Sequence, residues 1–305
     1  MDLRQLEIIR AIADKGSFTA AGDKLHVSQS AISRQILLLE EELGEPVFHR
    51  IGRRVRITPA GAALLQLSHR VFQDLQDTVA AINDTQETLR GTIRLVGGMT
   101  VCLYVFPSLL AEVRRIHPNL DLKVTVGSAE RSIAMLRQGA GDMGLVTLPV
   151  EASDLVSVPV LTEELLLVIY PGHPLAKKRQ ITPADLDDQA FILFEAGSIT
   201  RRLVDEFFTR QRIQSHIVME TENVEIIKAM VRSGLGISII PWQAAASDVK
   251  TKQLACSRIA GHQLVRQTGW LYPKMSRLPR MVSEMMLVLE GIRPQLEAAV
   301  KPTHL

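Results

Sequence analysis

Between Gly16 and Gly44 the chain has room for two short helices and a tight turn, and for little else. Before this segment, Leu3, Leu6, Ile9 and Ala13 supply one apolar face of a helix over residues 3–14, closed by Gly16. Ser17 suits the N-cap of a second helix, because its hydroxyl can accept from an amide that the helix start leaves unpaired. His26 and Val27 then form a tight connection, Ser28 caps a third helix running to about Leu43, and Gly44 stops it. Ile32, Ile36, Leu39 and Leu43 fall on one face of that third helix. Three short helices with a tight turn before the third are helix-turn-helix geometry.

After Pro46 the periodicity changes. In "VFHRIGRRVRIT" an apolar strand start and a glycine turn precede Val55 and Ile57, which alternate with Arg54 and Arg56. This predicts a two-stranded wing. Thr58 caps a new helix and Pro59 suits its first position, where the missing N–H would be unpaired anyway. No glycine or proline interrupts the chain between Gly61 and Leu89. Leu64, Val71, Leu75, Ile82 and Leu89 recur at near-heptad spacing, with Ser68, Thr78 and Thr85 as polar members of the seam. A thirty-residue helix is about 45 Å long. One small domain cannot cover such a stripe, so a partner helix from a second chain is expected, packing along the chain's own second domain being the alternative.

A reading helix in the DNA major groove needs short polar side chains at its front and a longer donor among them. Ser28, Gln29, Ser30, Ser33 and Arg34 have that composition, opposite the Ile32/Ile36/Leu39 face. Arg50, Arg53, Arg54 and Arg56 on the wing would meet phosphates or the minor groove. Glu40, Glu41 and Glu42 stand at the far end of the helix, where they would repel phosphate. A merely solvated helix face is the bland reading, and the adjoining arginines weigh against it.

From Gly91 onward strand-like and helix-like segments alternate. "TIRLVGG", "LDLKVTV" and "DMGLVTL" read as strands, separated by helices over 102–116 and 129–138. A second set begins at "ELLLVIYPGHPLA" and continues through "AFILF", a helix over 198–212, "HIVME", a helix near 223–233 and "GISIIP". "GWLYP" and a last helix over about 278–297 close the chain. The alternation predicts a largely parallel sheet with helices on both faces, in two α/β units joined by two crossings.

Composition narrows the classes. The chain has 305 residues, 46% hydrophobic and 22% charged, which fits folded domains and excludes a disordered chain. A net charge of +2 identifies no partner by itself. Cys102 and Cys256 are far apart and form no zinc spacing, the eight histidines are scattered, and so neither a metal nor another cofactor is expected. "MDLRQLEIIR" lacks the pattern of a signal peptide and no apolar run is long enough to span a bilayer, so a cytoplasmic protein without a membrane partner is expected.

The segments "FTAAGDKLHVSQSAISRQILLLEEELG", "VFHR" and "TPAG" together resemble the N-terminal signature of LysR-type transcriptional regulators. "GHPLA" at 172–176 and "MVRSGLGISIIP" at 230–241 resemble the effector-domain landmarks of the same family, so the likeness spans the chain. Gly22 departs from the family's usual alanine. The resemblance implies a winged helix-turn-helix over 1–58, a dimerising linker helix over 59–90 and an effector domain over 91–305. It further implies that the effector domain has two Rossmann-like subdomains, like a periplasmic binding protein, formed by 91–161 with 268–305 and by 162–267. A homotetramer built as a dimer of dimers, promoter binding in both ligand states, a small-molecule co-inducer that alters DNA bending, and contact with RNA polymerase are implied as well.

The inducer cleft implied by the resemblance lies between the two subdomains. Thr100 follows the first strand, Ser128 opens the next helix and Thr147 follows the third strand. Across the cleft stand Ser198 and Thr200 at one helix start and Asn223 at another, with Arg201 and Arg202 read as surface charge. Hydroxyls and amides at helix starts favour a small anion, although serine and threonine there are also ordinary caps. Two other classes stand beside this reading. A redox-sensing regulator would use thiolate chemistry at Cys102 or Cys256. An enzyme would need a catalytic motif, and "SDVK" at 247–250 matches SxxK without its companion motifs. The chain is therefore expected not to be an enzyme.

Overall fold

The computed structural model describes residues 1–51, 54–82, 89–275 and 278–302, with side chains left undescribed at 50, 51, 54, 73, 74, 76, 77 and 80–82. The chain divides into two compact units, residues 1–87 with 137–140, and residues 88–136 with 141–305.

In the first unit, α1 (Leu3–Lys15) starts from a capping box in which Asp2 accepts from the Gln5 amide, and it ends at Gly16. Ser17 caps α2 (Phe18–Leu25), and His26 ends it in the left-handed region at φ 55°. Ser28 caps α3 (Gln29–Leu43), and Gly44 ends it at φ 70°. One core joins Leu6, Ile9, Ile12, Phe18, Ala21, Ile32, Ile36 and Leu39 to the strand residues Val47 and Phe48. Leu43 does not share in it: it is 41% exposed. The strands β1 (Phe48–Ile51) and β2 (Arg54–Ile57) pair antiparallel, as the wing requires.

The helix α4 (Pro59–Ile82) is joined to the wing by Thr58 and Gly61. The Thr58 hydroxyl donates to the Pro46 carbonyl (2.6 Å) and accepts from the Gly61 amide (3.0 Å). A Cβ at position 61 would stand 2.1 Å from the Val47 carbonyl oxygen, so "TPAG" is a close crossing of backbone over backbone. Gly22 has a similar setting. A Cβ there would lie 2.6 Å from the Val27 carbonyl, so this departure from the usual alanine accompanies a tight turn into α3.

The second unit opens with β3 (Gly91–Gly97), α5 (Met99–Tyr104), α6 (Phe106–Ile116), β4 (Leu120–Val126), α7 (Ala129–Arg137) and β5 (Met143–Leu148). The helix expected over 102–116 is two helices that meet at Val105, just before Pro107, which cannot donate into a continuous ladder. Next come β6 (Leu155–Ile169), β7 (Ala190–Leu193), α8 (Ile199–Gln211), β8 (His216–Glu220), α9 (Val224–Arg232) and β9 (Ser238–Pro241). The chain closes with α10 (Trp242–Lys250), β10 (Ala255–Ser257), β11 (Leu264–Pro273) and α11 (Arg280–Val300).

The sheet departs from the largely parallel expectation. Its order is β10-β6-β11-β5-β3-β4, with β9 also on β6. Only β3 pairs parallel, with β4 and β5; β6 and β11 are long antiparallel neighbours, and β9 and β10 run antiparallel to β6. A parallel pair β7–β8 forms beside it, and the Ile192 amide reaches the Ile237 carbonyl (2.9 Å) just before β9. One core gathers around Phe106, Trp270 and α11, and another around Leu167, Phe191 and Phe208.

Candidate DNA-reading helix and effector cleft

The front of α3 is built by its own cap. Ser28 Oγ accepts from the Ala31 amide (3.2 Å) and lies 3.0 Å from Ser30 Oγ. Gln29 Nε2 donates to Ser33 Oγ (2.8 Å), which places the amide along the helix face. Ser28, Gln29, Ser30 and Arg34 are exposed, and Ser33 is half-buried. Arg34 makes no hydrogen bond or ion pair with a described residue, so its five donors face solvent. On the wing, Arg56 is exposed opposite His49. The side chains of Arg50 and Arg54, and all of Arg53, lie outside the described residues.

Glu40 departs from its expected role. Its Oε1 accepts from the Val47 (2.7 Å) and Phe48 (3.2 Å) amides, so it fastens the wing to α3 instead of only repelling phosphate. Along α4 the seam also divides. Leu64 and Val71 are half-buried against this unit's own core, and Ser68 is fully buried, donating to the Leu6 carbonyl (2.9 Å). Leu75 and the unanticipated Val79 are 43% and 57% exposed, so the free apolar stripe begins there. The side chain of Ile82 and all of Thr85 lie outside the described residues. Leu89 is not a seam residue: it is non-helical and buried in the Trp270 core, its amide donating to His117 Nδ1 (3.2 Å).

In the second unit, β3 lies between β4 and β5, all parallel, with Gly97 opposite Val126 on one side and Leu145 on the other. Thr100, Ser128 and Thr147 therefore gather at the carboxyl ends of three neighbouring strands, where open α/β sheets bind ligands. Thr100 is half-buried and makes no hydrogen bond with a described residue. Ser128, Ser198 and Asn223 act as N-caps, accepting from the amides of Arg131 (3.3 Å), Arg201 (3.1 Å) and Glu225 (2.9 Å).

Thr200 belongs to a buried cluster that sequence reasoning missed. Its Oγ1 accepts from Arg266 Nη1 (3.0 Å), and Arg266 Nε donates to Glu163 (2.8 Å) directly across the β6–β11 pair. Thr268 stands beside the same carboxylate (3.4 Å) and lies opposite Thr147 in register. Arg266 is 3% exposed, an expensive place for a cation unless it is paired. The signal for it was Arg266 and Thr268 at period two within an apolar strand. A second network joins Tyr104 Oη to Glu225, and Lys228 to Asp248 (2.8 Å) and the Ala244 carbonyl (3.0 Å). Burial pulls the Lys228 ammonium down, and its bonds to Asp248 and Glu225 more than offset this, leaving it above its ordinary value.

Arg201 is not surface charge. It is 7% exposed, bonded to Asp205 (2.8 Å), the Phe194 carbonyl (3.0 Å) and Glu220 (2.5 Å), whereas Arg202 is exposed. Burial pushes the Cys102 thiol up to about 11 and the Cys256 thiol up to about 12. Neither is a thiolate at neutral pH, which disfavours redox chemistry at either. No described helix is long and apolar enough to cross a membrane.

A winged helix-turn-helix joined to a mixed-sheet ligand-binding domain is the architecture of a ligand-responsive DNA-binding regulator. The pattern of the bacterial regulatory helix-turn-helix protein, lysR family, matches residues 3–62, and that of the LysR substrate binding domain matches residues 86–291. The chain belongs to the LysR family: it is a DNA-binding transcriptional regulator that oligomerises and whose C-terminal domain takes a small-molecule effector. It is 33% identical over 275 residues to a probable RuBisCO transcriptional regulator of Trichormus variabilis, covering 88% of this chain and 81% of that one. A full-length OxyR variant from Pseudomonas aeruginosa shares the fold, with a TM-score of 0.80 at 24% identity over 100% of this chain and 99% of that one. The regulatory domain of Synechocystis CcmR in complex with 2-PG superposes with a TM-score of 0.62 at 26% identity, covering 67% of this chain and 98% of that domain.

Proposed function

We propose that this chain is a cytoplasmic, homotetrameric regulator whose inducer is a small anion, and that it catalyses no reaction. Residues 1–58 read the promoter through Ser28, Gln29, Ser30, Ser33 and Arg34, with the wing arginines Arg50, Arg53, Arg54 and Arg56 on the backbone. Residues 59–90 hold the linker, with Leu75 and Ile82 facing a partner helix. Within 91–305 the inducer lies between the subdomain formed by 91–161 with 268–305 and that formed by 162–267. It is held by Thr100, Ser128 and Thr147 on one side and Ser198, Thr200 and Asn223 on the other. Its binding changes DNA bending and contact with RNA polymerase.

The observation that carries the anionic reading is the Arg266–Thr200 hydrogen bond, which points a guanidinium at the start of α8 beside the strand ends. Arginine presents a fork of donors that suits carboxylate and phosphate oxygens. That the CcmR regulatory domain binds 2-PG agrees with such chemistry in a relative. A thermal-shift screen of small carboxylates and phosphate esters tests it, because a ligand bound only to the native state raises the melting temperature. The reading predicts a stabilising anion whose effect disappears in Thr200→Val. Stabilisation by neutral ligands alone, or an anion effect untouched by that substitution, would contradict it.

A further inference from the structure

The face that α3 turns away from its core is not wholly polar. Ile32, Ile36 and Leu39 are buried in the N-terminal core. Leu37 precedes Leu39 by two residues, about 200° around the helix, and is 55% exposed. A single exposed leucine is ordinary on a protein surface, so its neighbours decide its meaning. Leu37 stands one turn after Ser33 and Arg34 and two turns after Ser30, so these four residues line one face of α3. Glu41 follows on the same face a turn later, exposed, and bounds it with a negative charge.

The polar members of that face are partly engaged with one another. Ser30 Oγ lies beside Ser28 Oγ (3.0 Å), and Ser33 Oγ accepts from Gln29 (2.8 Å). Leu37 offers only methyl groups. From Ser30 to Leu37 the helix rises about 10 Å, the length of about three base-pair steps. A helix lying in the major groove therefore brings Leu37 to a base pair beside those met by Ser33 and Arg34.

We infer that Leu37 is a specificity-determining residue, which packs on the C5-methyl group of one thymine in each promoter half-site. The inference rests on the reading of α3 as the helix that meets the bases. The thymine methyl is the one apolar group that base edges present in the major groove. Cytosine at the same place would set its amino donor against a side chain with no acceptor, and a purine would set its N7 acceptor against one with no donor. Either group would lose water without gaining a partner, which is unfavourable. Leu37 thus selects thymine by shape and dryness where Arg34 selects by hydrogen bonds.

Removing that methyl group alone tests this, because deoxyuridine keeps the hydrogen-bonding edge of thymidine. The full-length protein is used to enrich binding sites from a randomised duplex pool, and the enriched site is remade with deoxyuridine at each thymidine in turn. Affinities are compared at one fixed salt concentration. At one thymidine per half-site the wild type should bind about fourfold more weakly, the worth of one buried methyl group, and Leu37→Ala should change by less than about twofold. Leu38 is also exposed but turned about 100° from Leu37, so Leu38→Ala should respond as the wild type does. Both leucines lie outside the core, so neither substitution disturbs the fold. No responding thymidine, an equal response in the wild type and Leu37→Ala, or a response lost in Leu38→Ala instead would each overturn the inference. Arg34→Ala separates this outcome from the reading beneath it. A motif altered by Arg34→Ala, with a thymidine response indifferent to Leu37→Ala, removes Leu37 alone. Enrichment of the wild-type motif by both variants removes α3 as the reading helix as well.

Discussion

At the scale of single residues, the molecule depends on a few positions where backbone meets backbone or charge meets charge without water. Gly61 is one. A methyl group 2.1 Å from the Val47 carbonyl must push α4 away from the wing. Gly61→Ala should therefore destabilise the N-terminal unit by about 1–3 kcal/mol despite alanine's better helix propensity. Calorimetry of the full chain would show this as a lower first transition, and an unchanged transition would contradict it. Asp248 is another. Burial raises its carboxyl, and the bonds from Lys228 and Arg232 more than reverse that, holding it below its ordinary 3.8. A depressed carboxyl stabilises the fold above its unfolded value and loses that contribution as pH falls through the folded one. Asp248→Asn should cost about 3–5 kcal/mol near neutrality, as expected for breaking a buried pair. The gap from the wild type should narrow below about pH 3.8 in denaturant titrations. A gap that stays constant down to pH 2 would show that Asp248 is not what the acid limb titrates.

At the scale of elements, the N-terminal helices were legible because each carries its own start and stop. Ser17, Ser28 and Thr58 cap as their sequence positions suggest, and Gly16 and Gly44 terminate. The strands of the second unit were legible as strands but not by direction. "ELLLVI" is buried throughout, and an apolar run carries no mark of whether its neighbour runs parallel or antiparallel. The Glu163–Arg266 pair joins residues 103 apart, a contact that local periodicity cannot register. Nor could periodicity divide the α4 seam, since Leu64 and Leu75 look alike in sequence while one meets the domain core and the other solvent. Charge placed on the exposed half should act on assembly alone. Leu75→Glu is expected to dissociate the linker pair with little change in the N-terminal unit's stability, because burying an unpaired carboxylate in a seam is costly. Sedimentation velocity showing the wild-type assembly would remove Leu75 from that interface.

At the scale of the whole molecule, two kinds of surface share one chain. A capped helix with a short polar front and a single long cationic side chain is suited to base edges. An α/β domain with hydroxyls at its strand ends and a paired, buried guanidinium offers polar groups to a small-molecule effector. The family places both in one regulator, and the residues assign which side chains would do each task. The most direct measurement mixes purified full-length protein with fragmented genomic DNA from its source and sequences what is retained, for the wild type and for Arg34→Ala. The account predicts a short shared motif for the wild type, while Arg34→Ala still retains DNA through its phosphate contacts but loses preference at one position of that motif. Enrichment of an identical motif by both proteins would contradict the assignment of α3 as the reading helix through Arg34.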